Sequence, residues 1–269
     1  MLKIIDVSEN NGVINWLRVK GQVDGAIIRI GYRGYGSAGT LVVDNRMHEY
    51  MRGAINQGIP VGAYWLSQAV SDAEAKAEAQ FIHTHLRGYD LQLPVFLDSE
   101  WGEYQGGTGR ADRLSKARRT QYHLTLLRAL RDMGYRTGLY TGNSWFQTEM
   151  DGEAIRRDGH TIWIASVENV RPTVSWDGWQ HSWKGRVNGI NTDVDMSQFN
   201  EGVLDLTKEQ VLQIIAEYEA EKAKKTVSSY ARQAWQEAKQ AGVMDGTMPQ
   251  GDLTREQFAV VLKRLGLLK

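Results

Sequence analysis

Short β-rich apolar runs alternate with helix-spaced segments through the first half of the chain, and this alternation constrains the fold more than any other feature. The runs are Lys3–Val7, Ala26–Ile30, Pro60–Trp65, Leu93–Leu97 and Thr137–Thr141. Between them, residues 44–57, 71–87 and 112–133 carry apolar or small side chains three and four apart. Each of these segments stops at a glycine (Gly58, Gly88, Gly134), where a left-handed residue is expected to end a helix. Ser71 with Glu74 predicts a capping box at the start of the second. Repeated strand–helix–strand units predict parallel strands joined by right-handed crossovers. After residue 141 strand-like runs continue at Thr161–Ala165, Trp179–Ser182 and Asp193–Gln198 without long helices between them. Eight strands with helices missing late in the chain predict an α/β fold, an abbreviated irregular (β/α) TIM-like barrel over residues 1–205. Roughly 200 residues is the short end for such a barrel.

A second part follows. Residues 206–227 read as a charged helical linker with a capping box at Thr207 and Gln210 and an apolar stripe of Val211, Leu212, Ile215 and Tyr218. Residues 228–269 read as a small all-α helix–turn–helix module, with a second box at Thr254 and Gln257. So short a piece buries little surface, so it is expected to pack on something or to self-associate as a homo-oligomer.

Composition closes off several classes of function. Lys+Arg and Asp+Glu are 32 each, and neither part has the positive balance that binding to a nucleic-acid backbone requires. Cysteine is absent, which excludes disulfides, thiolate metal sites and a cysteine nucleophile. No apolar run approaches the ~20 residues needed to cross a bilayer, so no membrane partner is expected. A strand-like run starts at once, and the reading is a chain made in the cytoplasm without a signal peptide. Nine Trp and eleven Tyr against five Phe favour rings that join an apolar face to a polar handle, as in sugar-binding clefts.

The chemistry-bearing residues are acids. Asp98 and Glu100 close the run Pro94–Leu97, and residues two apart on a strand share a face. Two same-facing carboxyls raise each other's pKa, and the one in drier surroundings stays a proton donor near neutrality. That is what general acid cleavage of a glycosidic bond requires. Asp6 closes the first strand, and Asp193 and Asp195 sit on the last, which neighbours the first in a closed barrel. Trp65, Trp101, Trp163, Trp176, Trp179 and Trp183 are candidates for stacking on sugar rings, with about half of them expected in the core. Gly34–Gly39 matches G-x-G-x-x-G, but it follows the second strand and Thr40–Val43 precedes the next helix, so it reads as a glycine-rich rim loop. His83 and His85 lie two apart on a helix and face different ways, and the six histidines form no metal motif. No metal and no cofactor is expected.

Residues 1–200 resemble glycoside hydrolase family 25, the muramidases (lysozymes) of bacteria and their phages. The likeness runs in order through Ile4–Ser8, Gly58–Tyr64, Pro94–Glu100, Gly138–Gly142, Ile162–Ala165 and Val194–Phe199. It implies hydrolysis of the β-1,4 bond between N-acetylmuramic acid and N-acetylglucosamine in peptidoglycan. By the same resemblance Glu100 is the general acid and Asp98 assists it. Asp6 and Asp195 shape the electrostatics, Asp193 being the alternative to Asp195. Tyr64, Trp65, Tyr140, Trp163 and Gln198 are the expected substrate contacts. Residues 230–266 look like one copy of an S-layer homology module through Ala234–Ala238, Gly242–Gly246 and Leu253–Glu256. That resemblance implies a wall anchor in which Arg255 meets an anionic wall polymer. The function expected is that of a phage endolysin acting in bacterial lysis. A family 18-like (chitinase-type) hydrolase of acetamido sugars and a non-catalytic wall-binding protein are the alternatives.

Overall fold

Period-two alternation along the strands divides the first unit into two cores, one inside a closed sheet and one outside it. We describe residues 1–104, 107–167, 170–205 and 208–268 of a computed structural model, in which the chain divides into Met1–Asp205 and Leu206–Lys269. The strands of the main sheet of the first unit are β1 (Leu2–Val7), β2 (Gly25–Arg33), β3 (Leu41–Val43), β4 (Val61–Leu66), β5 (Val95–Asp98), β6 (Thr137–Gly142), β7 (Thr161–Ala165), β8 (Gly178–Gly185) and β9 (Val194–Phe199). Their order is β1-β9-β8-β7-β6-β5-β4-β2-β3, and β1 also pairs with β2. That last pairing closes eight strands into a barrel and leaves β3 as an antiparallel flap on β2.

Pairing is parallel from β1 through β2, β4, β5, β6 and β7 to β8, as the alternation predicts. The last strand departs from it. β9 runs antiparallel to both β8 and β1. The connection over residues 186–193 is shorter than the dozen or so residues that a parallel crossover requires, so the chain turns back on itself. The start of β9 therefore lies at the barrel end where the other strands finish, and Asp195 pairs directly with Asp6.

The inner core holds Ile4, Ile27, Leu93, Phe96, Trp163 and Phe199. Phe96, Trp163 and Phe199 meet at ring separations of 5.1–5.9 Å in tilted or edge-to-face contacts. They fill the interior and form a floor below the mouth. The outer core lies between the sheet and helices α1 (Met47–Asn56), α2 (Asp72–Leu86) and α3 (Lys116–Asp132), and takes the alternate strand residues, among them Ile5, Ile28, Trp65, Leu97 and Leu139. Gly58, Gly88 and Gly134 follow the three helices with φ of +70°, +92° and +95°. Ser71 caps α2 by accepting from Glu74 N–H, but Glu74 does not return the bond to Ser71. Its carboxylate is drawn instead to Arg110, in a two-point ion pair, and to Val70 N–H.

The second unit contains α4 (Lys208–Lys224), α5 (Arg232–Gln240) and α6 (Arg255–Arg264). The charged helix belongs to this unit together with the helix pair: Lys222 Nζ meets Asp252 Oδ1 at 2.6 Å, and Gln250 Nε2 donates to the Thr226 carbonyl. Both halves of the Thr254–Gln257 capping box are formed. The box expected at Thr207 and Gln210 lies outside the described residues. Among those described, no helix is long and apolar enough to cross a membrane.

Candidate active site

Four carboxyls meet at the barrel mouth, delivered by three local devices. Ile4 points inward and Ile5 outward, so Asp6 points inward at the end of β1. Phe96, Leu97 and Asp98 repeat the pattern on β5. On β9, Asp195 shares a face with Ser197 and Phe199, because the strand enters at the mouth. Glu100 arrives differently. β5 ends at Asp98, so Glu100 is carried by the segment after the strand and not by the strand alternation predicted for it.

This crowding raises every acid above its ordinary range. Burial has the largest effect on Asp6, followed by the charge of Asp195; the hydrogen bond that Asp6 receives from Gln180 opposes both. Asp6 and Asp195 are partners in the β1–β9 register; Asp195 adds to the rise of Asp6, while Asp195 is itself raised by burial with Asp6 opposing. Asp98 is raised by burial, then by Glu100 and Asp6, with Arg29 pulling the other way. Its Oδ1 is buried without a hydrogen-bond partner. Glu100 stands at the rim with much of its residue surface exposed, yet loss of hydration around the carboxyl and then the charge of Asp195 raise it too. Each of the four disfavours ionisation of the others, and the mouth favours any positive charge placed within it.

A sequence profile of the glycosyl hydrolases family 25 matches residues 5–190. The chain belongs to this family. Lysozyme M1 of Streptomyces globisporus is 29% identical over 210 residues, which are 73% of this chain and 67% of that protein. The lysozyme of Lactococcus phage mv1 is 27% identical over 121 residues, 44% of this chain and 58% of that one. The modular autolysin LytC of Streptococcus pneumoniae, solved with a synthetic peptidoglycan ligand, superposes with a TM-score of 0.63 at 26% identity. That match covers 73% of this chain but 46% of LytC, so the chain spans just under half of that autolysin. Membership in family 25 places the chain in a glycosidase family other than family 18.

Several expected contacts of this family 25 chain sit elsewhere. Tyr64 and Tyr140 face the mouth, and in both the acids help to hold the phenol proton after burial, which acts most. Trp65 cannot join them. As Tyr64's neighbour it points to the opposite face and is fully buried in the outer core against Phe81, with ring centroids 5.4 Å apart. Trp163 does face inward, but it is only 1% exposed and lies in the aromatic floor, its Nε1 donating to Ser197 Oγ. It supports the site and is closed to a ligand. Gln198 alternates outward between Ser197 and Phe199 and is exposed on the outer wall of the barrel. Asp193 precedes β9, is exposed and pairs with Arg186 at 2.7 Å. Arg255 belongs to the second unit, where it is the exposed first residue of α6.

Three participants were not foreseen. Gln180 points inward from β8; its Nε2 donates to Asp6 Oδ2 at 3.0 Å while Oε1 accepts from Tyr140 O–H and from Trp183 Nε1–H. Arg29, on β2, is held by Asp44 at 2.7 Å and Glu9 at 3.0 Å, and its charge is felt by Asp98, Tyr64 and Tyr35. Tyr35 stacks on Tyr32, and its phenol is raised by burial and then by Asp98 and Glu100. Inward parity on strands with known ends would have singled out Gln180 and Arg29. Two exposed indoles, Trp101 and Trp183, complete the set. Among the described residues, no group of three or more His, Cys, Asp or Glu is arranged to hold a metal ion.

Proposed function

We propose that the protein is a peptidoglycan muramidase, cleaving the β-1,4 bond from N-acetylmuramic acid to N-acetylglucosamine and acting in bacterial lysis. The observation that carries this reading is the convergence of Asp6, Asp98, Asp195 and Glu100 at the mouth of a family 25 barrel. Glu100, raised and open to solvent, gives its proton to the glycosidic oxygen as the bond from C1 breaks. The sugar left behind gains positive charge and is then captured at C1 by water, whose proton returns to Glu100. Asp98, with an unpartnered carboxyl oxygen, stabilises that charge directly or by orienting the 2-acetamido group towards C1. Carboxyls held above their ordinary range by burial and then by one another's charge interact favourably with a cation, so the stabilisation is greater in the transition state than in the bound sugar. Asp6, Asp195, Gln180 and Tyr140 form a hydrogen-bonded wall, with Trp101 and Trp183 available to stack on pyranose faces.

Digestion of purified Gram-positive peptidoglycan, with the new reducing ends identified by mass spectrometry, tests this reading. Ends at N-acetylmuramic acid are expected; ends at N-acetylglucosamine would make the protein a glucosaminidase. For the second unit, the proposed role is a wall anchor that uses Arg255 on an anionic polymer. Removing residues 226–269 should abolish co-sedimentation with purified walls, and unchanged co-sedimentation would rule out the anchor.

A further inference from the structure

The segment that carries Glu100 has left its strand, so the position of its carboxyl depends on what grips the chain on either side. Before Glu100, Ser99 is held at three points. Its N–H donates to the Tyr140 carbonyl at 3.0 Å, its carbonyl accepts from Thr141 Oγ1 at 2.7 Å, and its hydroxyl meets His123 Nε2 at 2.7 Å. After Glu100, Gly102 N–H donates to Asp112 Oδ1 at 3.1 Å, and Asp112 Oδ2 accepts from Gly109 N–H at 2.6 Å. Gly102 also needs to be glycine, because a Cβ there would come within 2.7 Å of the Tyr35 ring. Both grips are supported from the start of α3. His123 lies one turn beyond Arg119, and Arg119 Nη2 donates to the Asp112 carbonyl at 3.2 Å. The Arg119 guanidinium also sits 4.6 Å from the Trp145 ring, which makes an edge contact with Trp101. Ser99, Asp112, Arg119 and His123 are all buried.

On the reading that Glu100 is the general acid, we propose that His123 and Asp112 are positioning residues that clamp the chain at Ser99 and Gly102 and so fix the Glu100 carboxyl over the mouth. His123 suits the task because it stays neutral. Burial, then the charge of Arg119, pushes its imidazole down to about 3, so it is a fixed hydrogen-bonding group across the working range of a wall hydrolase. An ionised histidine there would add a positive charge beside the acid pair and favour loss of the proton from Glu100. Displacement of a reacting group by about 1 Å costs on the order of a hundred-fold in rate while leaving substrate contacts in place. Loosening the clamp is therefore expected to lower kcat and not to raise KM.

The test compares the full-length wild type with His123→Phe, His123→Gln and Asp112→Asn on soluble uncrosslinked glycan strands, with melting temperature and near-UV circular dichroism as fold controls. His123→Phe fills the cavity but cannot bond to Ser99, and kcat should drop about ten- to a hundred-fold with KM within about two-fold. His123→Gln can reach the hydroxyl and should recover most of that loss. Asp112→Asn keeps one acceptor for Gly102 and should fall between them. The basic limb of the kcat/KM profile, where Glu100 loses its proton, should also move to lower pH in His123→Phe, because a loosened carboxyl regains hydration and moves away from Asp195. Wild-type kcat in His123→Phe, or a loss that is matched by loss of fold and not relieved in His123→Gln, would overturn the clamp. A wild type that releases no reducing ends would instead overturn the muramidase reading on which the clamp rests.

Discussion

The two units of the chain bury apolar side chains very differently. In Met1–Asp205, the inward face of the barrel packs on itself and much of the outward face meets helices, and residues such as Ile4, Ile27, Trp65 and Trp163 are at most 1% exposed. In Leu206–Lys269, Leu212, Ile215, Tyr218, Phe258 and Val260 are each about half exposed, at 47–60%, and no described residue of the unit is buried. Helical periodicity is present in both. What differs is the second layer: an amphipathic helix is held by what its apolar stripe covers, and the barrel sheet offers that surface to α1, α2 and α3. Periodicity therefore predicts a helix but not a core.

The comparison makes the barrel the seat of both chemistry and stability, and the predictions test each in turn. The largest effect is expected at Glu100. Glu100→Gln should lower turnover at least about a thousand-fold with the fold and wall binding intact, because only the transferable proton is lost. Turnover near wild type would remove Glu100 as the acid. Next is the inner core, where Trp163→Ala should cost about 3–5 kcal/mol in denaturant unfolding, since the indole is closely packed against Phe96, Tyr140 and Phe199. A loss below about 1 kcal/mol would mean that the aromatic floor is loosely packed.

Asp98 separates function from stability. Its folded pKa is raised, so the fold disfavours the ionised form. The associated stability is present below the unfolded value and is lost as pH rises through the folded one. Asp98→Asn should therefore melt higher than wild type at pH 7, lose nearly as much activity as Glu100→Gln, and match wild-type melting near pH 3, where both carry a neutral group (about one unit below the ordinary Asp value). A lower melting temperature at pH 7 would contradict the charge crowding. The smallest effect is expected in the second unit, where Phe258→Ala should change unfolding by no more than about 0.5 kcal/mol, as for other exposed positions. A loss like that of Trp163→Ala would show that the α6 face is covered in solution.

How far the sequence could be read follows the same physics. The eight barrel strands, the three long helices, the glycine stops, and Asp6 and Asp98 at strand ends were legible because each is a local signal; the flap β3 and the departure of Glu100 from its strand were not. Asp195 meets Asp6 only once the barrel closes, and the reversal of β9 follows from the short connection at residues 186–193. Tyr64 and Trp65 cannot both face the mouth, nor can Gln198 share a face with Asp195, and strict period-two counting would have excluded one of each pair. Gln180 and Arg29 carried no motif and became visible only when parity and strand ends were fixed together. The grip of His123 on Ser99 joins positions 24 residues apart through tertiary packing, which no spacing rule encodes.

Catalysis at this mouth depends most on a proton held by Glu100, and carboxyl ¹³C titration of that residue in the folded protein, assigned by its disappearance in Glu100→Gln, reads this directly. A midpoint above the ordinary Glu value of about 4.3 is predicted. The midpoint should fall in Asp195→Asn, because the Asp195 charge is part of its cause. A midpoint at or below the ordinary value would mean that Glu100 is ionised when substrate arrives, and would contradict its assignment as the acid.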